Sequence, residues 1–326
     1  DGAIGYLIGK ENQGIRSMFT MMNNTRLSVG LQGVAIADRA YQRALSYAKE
    51  RIQGRDILSQ NSYPVPIIRH ADVRRMLMTM KSQTEATRAT AYYMSACLDR
   101  ARHHPDPNVR SENKSIADLL TPVVKAWSTD TGIAVADLGI QIHGGMGYIE
   151  KTGAAQHLRD VRIAAIYEGT NGIQAADLVG RKVARENAKS INALILKIKA
   201  YLDLAKIIED TSLNVIHKQL SNSVVSLSNT TTWIVDTFPS DPQTVTAGAT
   251  HFTQMLGITI GGWLMAKSAS KSVKLLQTDT ENRIYLEAKI YTAQFFADQY
   301  LSQVPTLGVL IKTAGRPLQR VSEEHF

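Results

Sequence analysis

The sequence predicts an all-α fold: one helical bundle, a second helical bundle after it, and a short β remnant at the N-terminus. Composition is the first reason. Ala, Leu, Ile, Lys, Gln and Arg are plentiful, and aromatics make up 6% of the 326 residues. Periodicity is the second. Apolar residues recur at helical spacing, as at Ile173, Ala176, Leu178, Val179 and Val183. The third is that residues 3–8 are the segment that reads as a strand, ahead of a run of helical segments. An apolar content of 44% allows a substantial core, and the length suits about two domains.

The elements follow in order. Ala-Ile-Gly-Tyr-Leu-Ile at 3–8 reads as a strand, and residues 9–14 as a turn. A single strand cannot bury itself, so its partners are expected elsewhere, and residues 1–14 read as the remnant of another domain. From Ile15 to about Arg51 the pattern is helical, with Met18, Met21, Met22, Val29, Ala35, Ile36, Ala40 and Leu45 as apolar positions. Gly30 and Gly33 suggest close helix packing. Residues 54–66 read as a loop punctuated by Pro64 and Pro66.

A helix is expected from about Arg69 to Arg102, with Asp72 in its first turn, ended by His103, His104, Pro105, Asp106 and Pro107. The adjacent histidines have prolines beside them and no carboxylate at ligand spacing, so a solvated loop is expected rather than a metal site. The next helix runs from about Ser111 to Ile142, with Pro122 as a bend point. A short helix near 155–165 and another from Thr170 to Lys189 complete the first bundle, residues 15–189.

Residues 190–326 form the expected second bundle, with segments near 190–209, 213–237, 243–274 and 279–304. Leu194, Ile198, Tyr201, Leu202, Ala205 and Ile208 make one stripe. Pro239, Asp241 and Pro242 break the middle, Asp279 is a candidate cap, and the tail beyond Val304 reads as irregular. This region carries no chemical motif and reads as a packing or oligomerisation bundle.

Charge and cysteine content narrow the function. The net charge is +8, from 37 basic and 29 acidic residues, which fits a phosphate-rich ligand. The bases are scattered, so no nucleic-acid footprint is expected. The lone cysteine, Cys97, rules out a disulfide within the chain and a thiolate metal cluster. It reads as a small buried hydrophobe in a reducing compartment, and a cytoplasmic location is expected. The longest apolar run, Met255 to Ala266, is too short for a membrane span.

The informative stretch is Ile166-Tyr167-Glu168-Gly169-Thr170-Asn171-Gly172-Ile173-Gln174. Glu168 stands between an aromatic residue and a glycine, just ahead of the capping side chains Thr170 and Asn171. It is therefore expected in a turn at the mouth of a helix. Upstream, Gln141-Ile142-His143-Gly144-Gly145-Met146-Gly147-Tyr148 closes another helical run. The whole run from Leu138 to Gln174, including Leu158-Arg159-Asp160-Val161-Arg162, resembles the signature of the acyl-CoA dehydrogenase family.

That resemblance implies FAD-dependent α,β-dehydrogenation of an acyl-CoA thioester. Such a reaction needs a base for the α-proton and an acceptor for the β-hydride. Glu168 occupies the position of the family's catalytic glutamate, with Gly169 small so that the thioester can pass. In relatives the N–H of the base also polarises the thioester carbonyl. A branch of the family carries its base on an early helix, before an arginine. Here that arginine resembles Arg26 and its predecessor is Thr25, so Glu168 is expected to be the sole base. Asn23 and Arg26 carry over as substrate contacts, the alternative for Arg26 being a surface ion pair.

FAD contacts are implied at Arg51 (pyrophosphate) and His70. Gln141, His143, Gly144 and Gly145 resemble the segment that reaches the FAD of a neighbouring subunit, and Thr170 and Asn171 open the helix that meets it. Two departures bear on this. Gly54-Arg55 stands where many relatives have Phe-Gly, and Gly172 replaces a longer polar residue. Arg159, Asp160 and Arg162 read as a structural ion-pair network. The implied partners are acyl-CoA, an electron-transfer flavoprotein and a second copy of the chain in a homodimer or higher assembly.

Relatives carry an N-terminal helical domain and a middle β domain before this region, so the chain reads as a fragment, inactive alone. Residues 190–326 resemble, less specifically, the extra C-terminal domain of large bacterial members, which include 3-methylmercaptopropionyl-CoA dehydrogenases. Acyl chain length stays open. Two alternatives remain: an acyl-CoA oxidase, or a non-catalytic helical assembly module.

Overall fold

A computed structural model describes residues 2–56, 63–205, 210–278 and 281–326. Long helices dominate. α1 spans Gly14–Glu50, and its chain leads into a small antiparallel hairpin, β1 (Ile52–Arg55) and β2 (Pro64–Pro66). α2 (Ala71–His103) and α3 (Pro107–His143) follow. Asp106 starts α3 by accepting from the Asn108 N–H at 2.8 Å, and Pro107 fills the first helical position. The helix therefore begins earlier than the apolar pattern suggests. It continues through the buried Pro122.

α1 and α3 cross so closely that only glycine fits. A Cβ on Gly33 would lie 2.5 Å from the Ser128 carbonyl oxygen, and one on Gly132 would lie 2.8 Å from that of Gly33. This contact fixes the first bundle. Ala37, Ala40, Ala44 and Ala48 of α1 pack on Met76, Met80, Val135 and Ala136.

A one-turn helix, α4 (Gly145–Tyr148), leads to α5 (Ala154–Arg162) and then α6 (Asn171–Asp177). The expected helix from Thr170 to Lys189 is not continuous. α6 passes into a π-helical stretch, Leu178–Ala184, and the chain then turns with positive φ at Asn187 and Ala188. Apolar spacing does not signal the extra residue per turn of a π segment.

The second bundle contains α7 (Lys189–Ala205), α8 (Thr211–Thr237), α9 (Pro242–Ala247), α10 (Ala249–Leu275), α11 (Arg283–Gln299), α12 (Val304–Thr313) and α13 (Gly315–Leu318). The segment expected at 243–274 is split at Gly248, where a Cβ would lie 2.7 Å from the Ile311 carbonyl oxygen. The tail is helical rather than irregular, because Pro305 sits in the first turn of α12 and costs no hydrogen bond there. In α7, Leu194, Ile198 and Ala205 are buried and Tyr201 and Leu202 half-buried, as the stripe requires. Ile208 and Asp279 lie outside the described residues.

One apolar cluster runs through both bundles, from Ala86 and Trp127 to Phe252, Phe296 and Ile311. Trp127 of α3 inserts against α10, where a Cβ on Gly257 would lie 2.5 Å from its ring. Glu85 accepts from Lys81 at 2.8 Å and from Lys289 at 2.9 Å, tying α2 to α11. Residues 255–266 are core, and no helix among the described residues is long and apolar enough to cross a membrane. Cys97 is buried, as expected.

Two expectations near the start are corrected. Residues 3–8 form no strand, since among the described residues no neighbouring strand offers them a ladder, and Ile4, Tyr6, Leu7 and Ile8 are exposed. The expected loop at 54–66 is partly the hairpin, whose short strands carry no readable alternation. Met18 and Met21, at the exposed start of α1, also lie outside the core.

Candidate functional site

The site is built where α1, α3 and the mouth of α6 meet. Thr170 caps α6, its hydroxyl accepting from the Ile173 N–H at 3.3 Å. Just before it, Glu168 and Gly169 take left-handed backbones, with φ of 57° and 85°. A glutamate rarely adopts this conformation, so neighbouring groups must hold it there.

They do so at the Glu168 carbonyl. Arg26 Nε donates to it at 3.3 Å and Gln174 Nε2 at 3.4 Å. Gln174 also reaches the Gly169 carbonyl at 3.4 Å. Arg26 is 8% exposed and its Nη1 donates to Asn23 Oδ1 at 3.2 Å. It is therefore an internal anchor, not the surface ion pair that was its alternative. Thr25, in front of it, donates to the Met21 carbonyl.

The Glu168 side chain is half-buried and Tyr167 beside it donates to Gln32 Oε1. Among the described residues, the N–H groups of Glu168 and Gly169 donate to no backbone carbonyl. Near the turn opens a depression of about 440 Å³, walled by Asp130, Ile133, Arg162, Ala165, Ile166, Thr170, Asn171 and Gly172. Ile166, Tyr167 and Ile173 expose apolar surface around it.

Behind the turn stands a buried polar cluster that sequence reasoning missed. Lys125 of α3 is 0% exposed and its Nζ donates to Asn171 Oδ1 at 2.8 Å. The Asn171 amide donates to Asp130 Oδ1 at 2.7 Å, to Thr129 Oγ1 at 2.9 Å and to the Ala126 carbonyl at 3.2 Å. Burial pushes the Lys125 ammonium down to about 8, against the attraction of Asp130. Burial raises Asp130, against the Asn171 bond and the nearby Lys125 and Arg162. A lysine in a helix reads as solvated, so only a partner 46 residues away reveals it.

The remaining expected contacts divide in two. Arg51 is exposed at the end of α1, held loosely by Gln53 Oε1 at 3.5 Å. Gly144 and Gly145 are exposed with nothing near a hypothetical Cβ, and Gln141 is exposed beside them. These groups face solvent. Three further side chains are engaged in hydrogen bonds within the protein. Asn171 is spent on α3. His70 Nε2 donates to the Gln53 carbonyl at 2.7 Å and braces the hairpin. His143 is 7% exposed, stacks on Tyr47 at 4.4 Å and donates from Nδ1 to the Gly139 carbonyl at 2.7 Å. Of the signature charges, Arg159 pairs with Glu150 on the surface at 2.7 Å.

A left-handed glutamate turn at a helix mouth, pinned by an arginine from the long first helix, is the centre of the candidate site. The description "Acyl-CoA dehydrogenase, C-terminal domain" matches residues 12–183, and "Acetyl-CoA dehydrogenase C-terminal like" matches residues 195–321. The chain belongs to the acyl-CoA dehydrogenase family.

Among curated relatives, the 3-methylmercaptopropionyl-CoA dehydrogenase of Ruegeria pomeroyi is 43% identical over 92% of this chain and 51% of that protein. The broad-specificity linear acyl-CoA dehydrogenase of Mycobacterium tuberculosis is 28% identical over 99% of this chain and 55% of that protein. The chain spans about half the length of these curated relatives. The fold is shared with Caenorhabditis elegans ACDH-11 in complex with C11-CoA, at a TM-score of 0.76 and 20% identity, over 92% of this chain and 47% of that one. An acyl-CoA dehydrogenase complexed with FAD from Bacillus anthracis gives a TM-score of 0.72 at 18% identity, over 96% of this chain and 53% of that one.

Proposed function

We propose that this chain forms the helical half of an FAD-dependent acyl-CoA dehydrogenase in which Glu168 takes the α-proton of an acyl-CoA thioester. The observation that carries this reading is the pinned turn. Arg26 and Gln174 hold the Glu168 carbonyl and so fix the turn that carries its side chain. A base within reach of a C–H bond must be held to a narrow geometry, and this double grip supplies it. The Glu168 N–H is available to the thioester oxygen, where enolate-like charge develops as the proton leaves. Gly169 suits the turn because its left-handed backbone disfavours a side chain and the Gln174 amide occupies the space one would need.

Arg51, Gln141, Gly144, Gly145 and the Thr170 end of α6 would hold FAD, with His70, His143 and Asn171 supporting from behind. Bound FAD supplies the acceptor for the β-hydride. Arg51 offers a planar fork that matches paired phosphate oxygens, and the bare backbone at Gly144 and Gly145 lets a ribose come close. The Gly144–Gly145 turn would serve the cofactor of a second copy, so the active unit is a homodimer or larger. Electrons leave to an electron-transfer flavoprotein. Asn23 lies at the exposed edge of the Arg26 anchor, in reach of the coenzyme A moiety.

The test is Glu168→Gln in the FAD-loaded enzyme that contains this chain. Acyl-CoA should still bind, and flavin bleaching should slow by the ~10²–10⁴-fold of a lost general base. Normal bleaching in that variant rejects the assignment. Measuring peroxide against acceptor-dependent turnover separates a dehydrogenase from an oxidase.

A further inference from the structure

We propose that Lys125 is a positioning residue for the catalytic turn: its buried ammonium clamps Asn171, and Asn171 holds the mouth of α6 from which the turn hangs. This rests on the assignment of Glu168 as the base.

The cluster is more than packing. A fully buried ammonium is costly to desolvate, and an apolar side chain would fill the same space without that penalty. Lys125 is nonetheless 0% exposed, and its Nζ lies 2.8 Å from Asn171 Oδ1. That contact decides which way the amide faces. With Lys125 on the oxygen and the Asp130 carboxylate on the nitrogen, a flipped amide would set its NH₂ against an ammonium and its oxygen against a carboxylate. The Ala126 carbonyl and Thr129 hydroxyl complete the grip. Asn171 thus has one orientation, set by charges on both sides.

Its place in the chain gives the clamp an effect. Asn171 is the first residue of α6, next to the cap Thr170 and close in sequence to Glu168. Arg26 holds the turn from α1, while Lys125 holds the following residue from α3. The charged groups around Lys125 are Arg26 of α1, Asp130 of α3 and Glu168 of the turn, with Arg162 of α5 acting on Asp130. Asp130 and Glu168 favour the charged lysine and Arg26 opposes it.

The experiment uses the FAD-loaded enzyme and follows single-turnover flavin bleaching by ordinary and α-deuterated acyl-CoA. Lys125→Met should slow bleaching by about 10²-fold, the penalty of a misplaced reacting group. Acyl-CoA affinity should be unchanged and the α-deuterium isotope effect larger. Asn171→Ala should do the same, and the double variant should be no slower than the slower single one, since the two side chains act as a unit. A wild-type rate in either single variant overturns the proposal, as do losses that multiply in the double variant, or a weakened affinity with normal bleaching. Should Lys125→Met fail to fold, Lys125→Gln and Asn171→Ala decide the matter by the same readouts. Glu168→Gln run in parallel keeps the two claims apart. If it bleaches normally, base and clamp both fail; if it is inert while Lys125→Met is normal, the clamp alone fails.

Discussion

Arg26 Nε donates to the main-chain carbonyl of Glu168 at 3.3 Å, across 142 residues of sequence. The contact joins the first helix of the chain to the turn that carries the candidate base. It acts on backbone, not on the carboxylate, so its effect is on direction more than charge. Gln174 takes the same carbonyl from the opposite side in sequence, and the left-handed conformation of Glu168 is thereby fixed twice.

Arg26→Lys is expected to fail almost as fully as Arg26→Ala. A lysine ammonium is a point donor and cannot span the Glu168 carbonyl and Asn23 Oδ1 as the guanidinium does. Turnover of the FAD-loaded enzyme should fall by about 10²-fold in both. Stability should drop by about 1–3 kcal/mol, since a part-buried carbonyl loses one of its two donors and Asn23 Oδ1 loses its partner. Urea unfolding together with steady-state kinetics checks this; full activity in Arg26→Lys would show that the arginine fork is dispensable.

Gly169→Ala tests the other half of the turn. The φ of 85° is unfavourable for any side chain, and the new Cβ would lie 2.8 Å from Gln174 Nε2. The variant should lose about 1–3 kcal/mol from backbone strain alone. It should also slow flavin bleaching, because Gln174 must move and release the Glu168 and Gly169 carbonyls. An active variant of unchanged thermal midpoint contradicts this account.

What could be read from the chain beforehand depended on where the determining partner lay. Glu168 and Thr170 were legible because turn, cap and helix start lie within a few residues of one another. Gly30 and Gly33 announced close packing by lacking side chains, and the structure sets them against α3. The inward role of Arg26 was open, since an arginine on a helix gives no sign of a partner 142 residues on. Lys125 gave still less, because burial of a lysine is decided by tertiary contacts. Residues 3–8 read as a strand in sequence, but pairing needs a second strand and the local pattern does not supply one. The π-helical stretch at Leu178–Ala184 keeps an apolar face and so looks like ordinary helix in sequence.

Gly257→Val addresses the seam between the bundles. The Trp127 ring fills the space a side chain would need, with 2.5 Å to the nearest ring carbon. Valine must push the ring or α10 aside, at about 1–3 kcal/mol. Trp127→Ala should cost about 3–5 kcal/mol by leaving a cavity. Combining the two should recover part of that loss, because the valine enters the vacated space. Equilibrium unfolding of the four proteins measures the coupling, and strictly additive losses would show that the two residues do not share the seam.

His143 links stability to pH. Burial pushes its pKa below the usual histidine value, with Arg43 adding to this and the Gly139 carbonyl opposing it. Nδ1 donates to that carbonyl, so the neutral ring already satisfies the bond. The unfolded chain takes up a proton near the ordinary histidine pKa of about 6.5, while the folded chain takes it up only at lower pH. Between those values the unfolded state holds more protons, so stability rises with pH through the window and falls as acid is added. Above about 6.5 both states are neutral and the effect vanishes. His157 and His217 are shifted the same way, so the wild type should lose thermal stability from pH 7.5 to 5.5 through several groups. His143→Asn retains a donor for Gly139 and removes one titration, and its midpoint should fall less steeply over that range. Equal slopes in wild type and variant would mean that the buried ring carries no linkage.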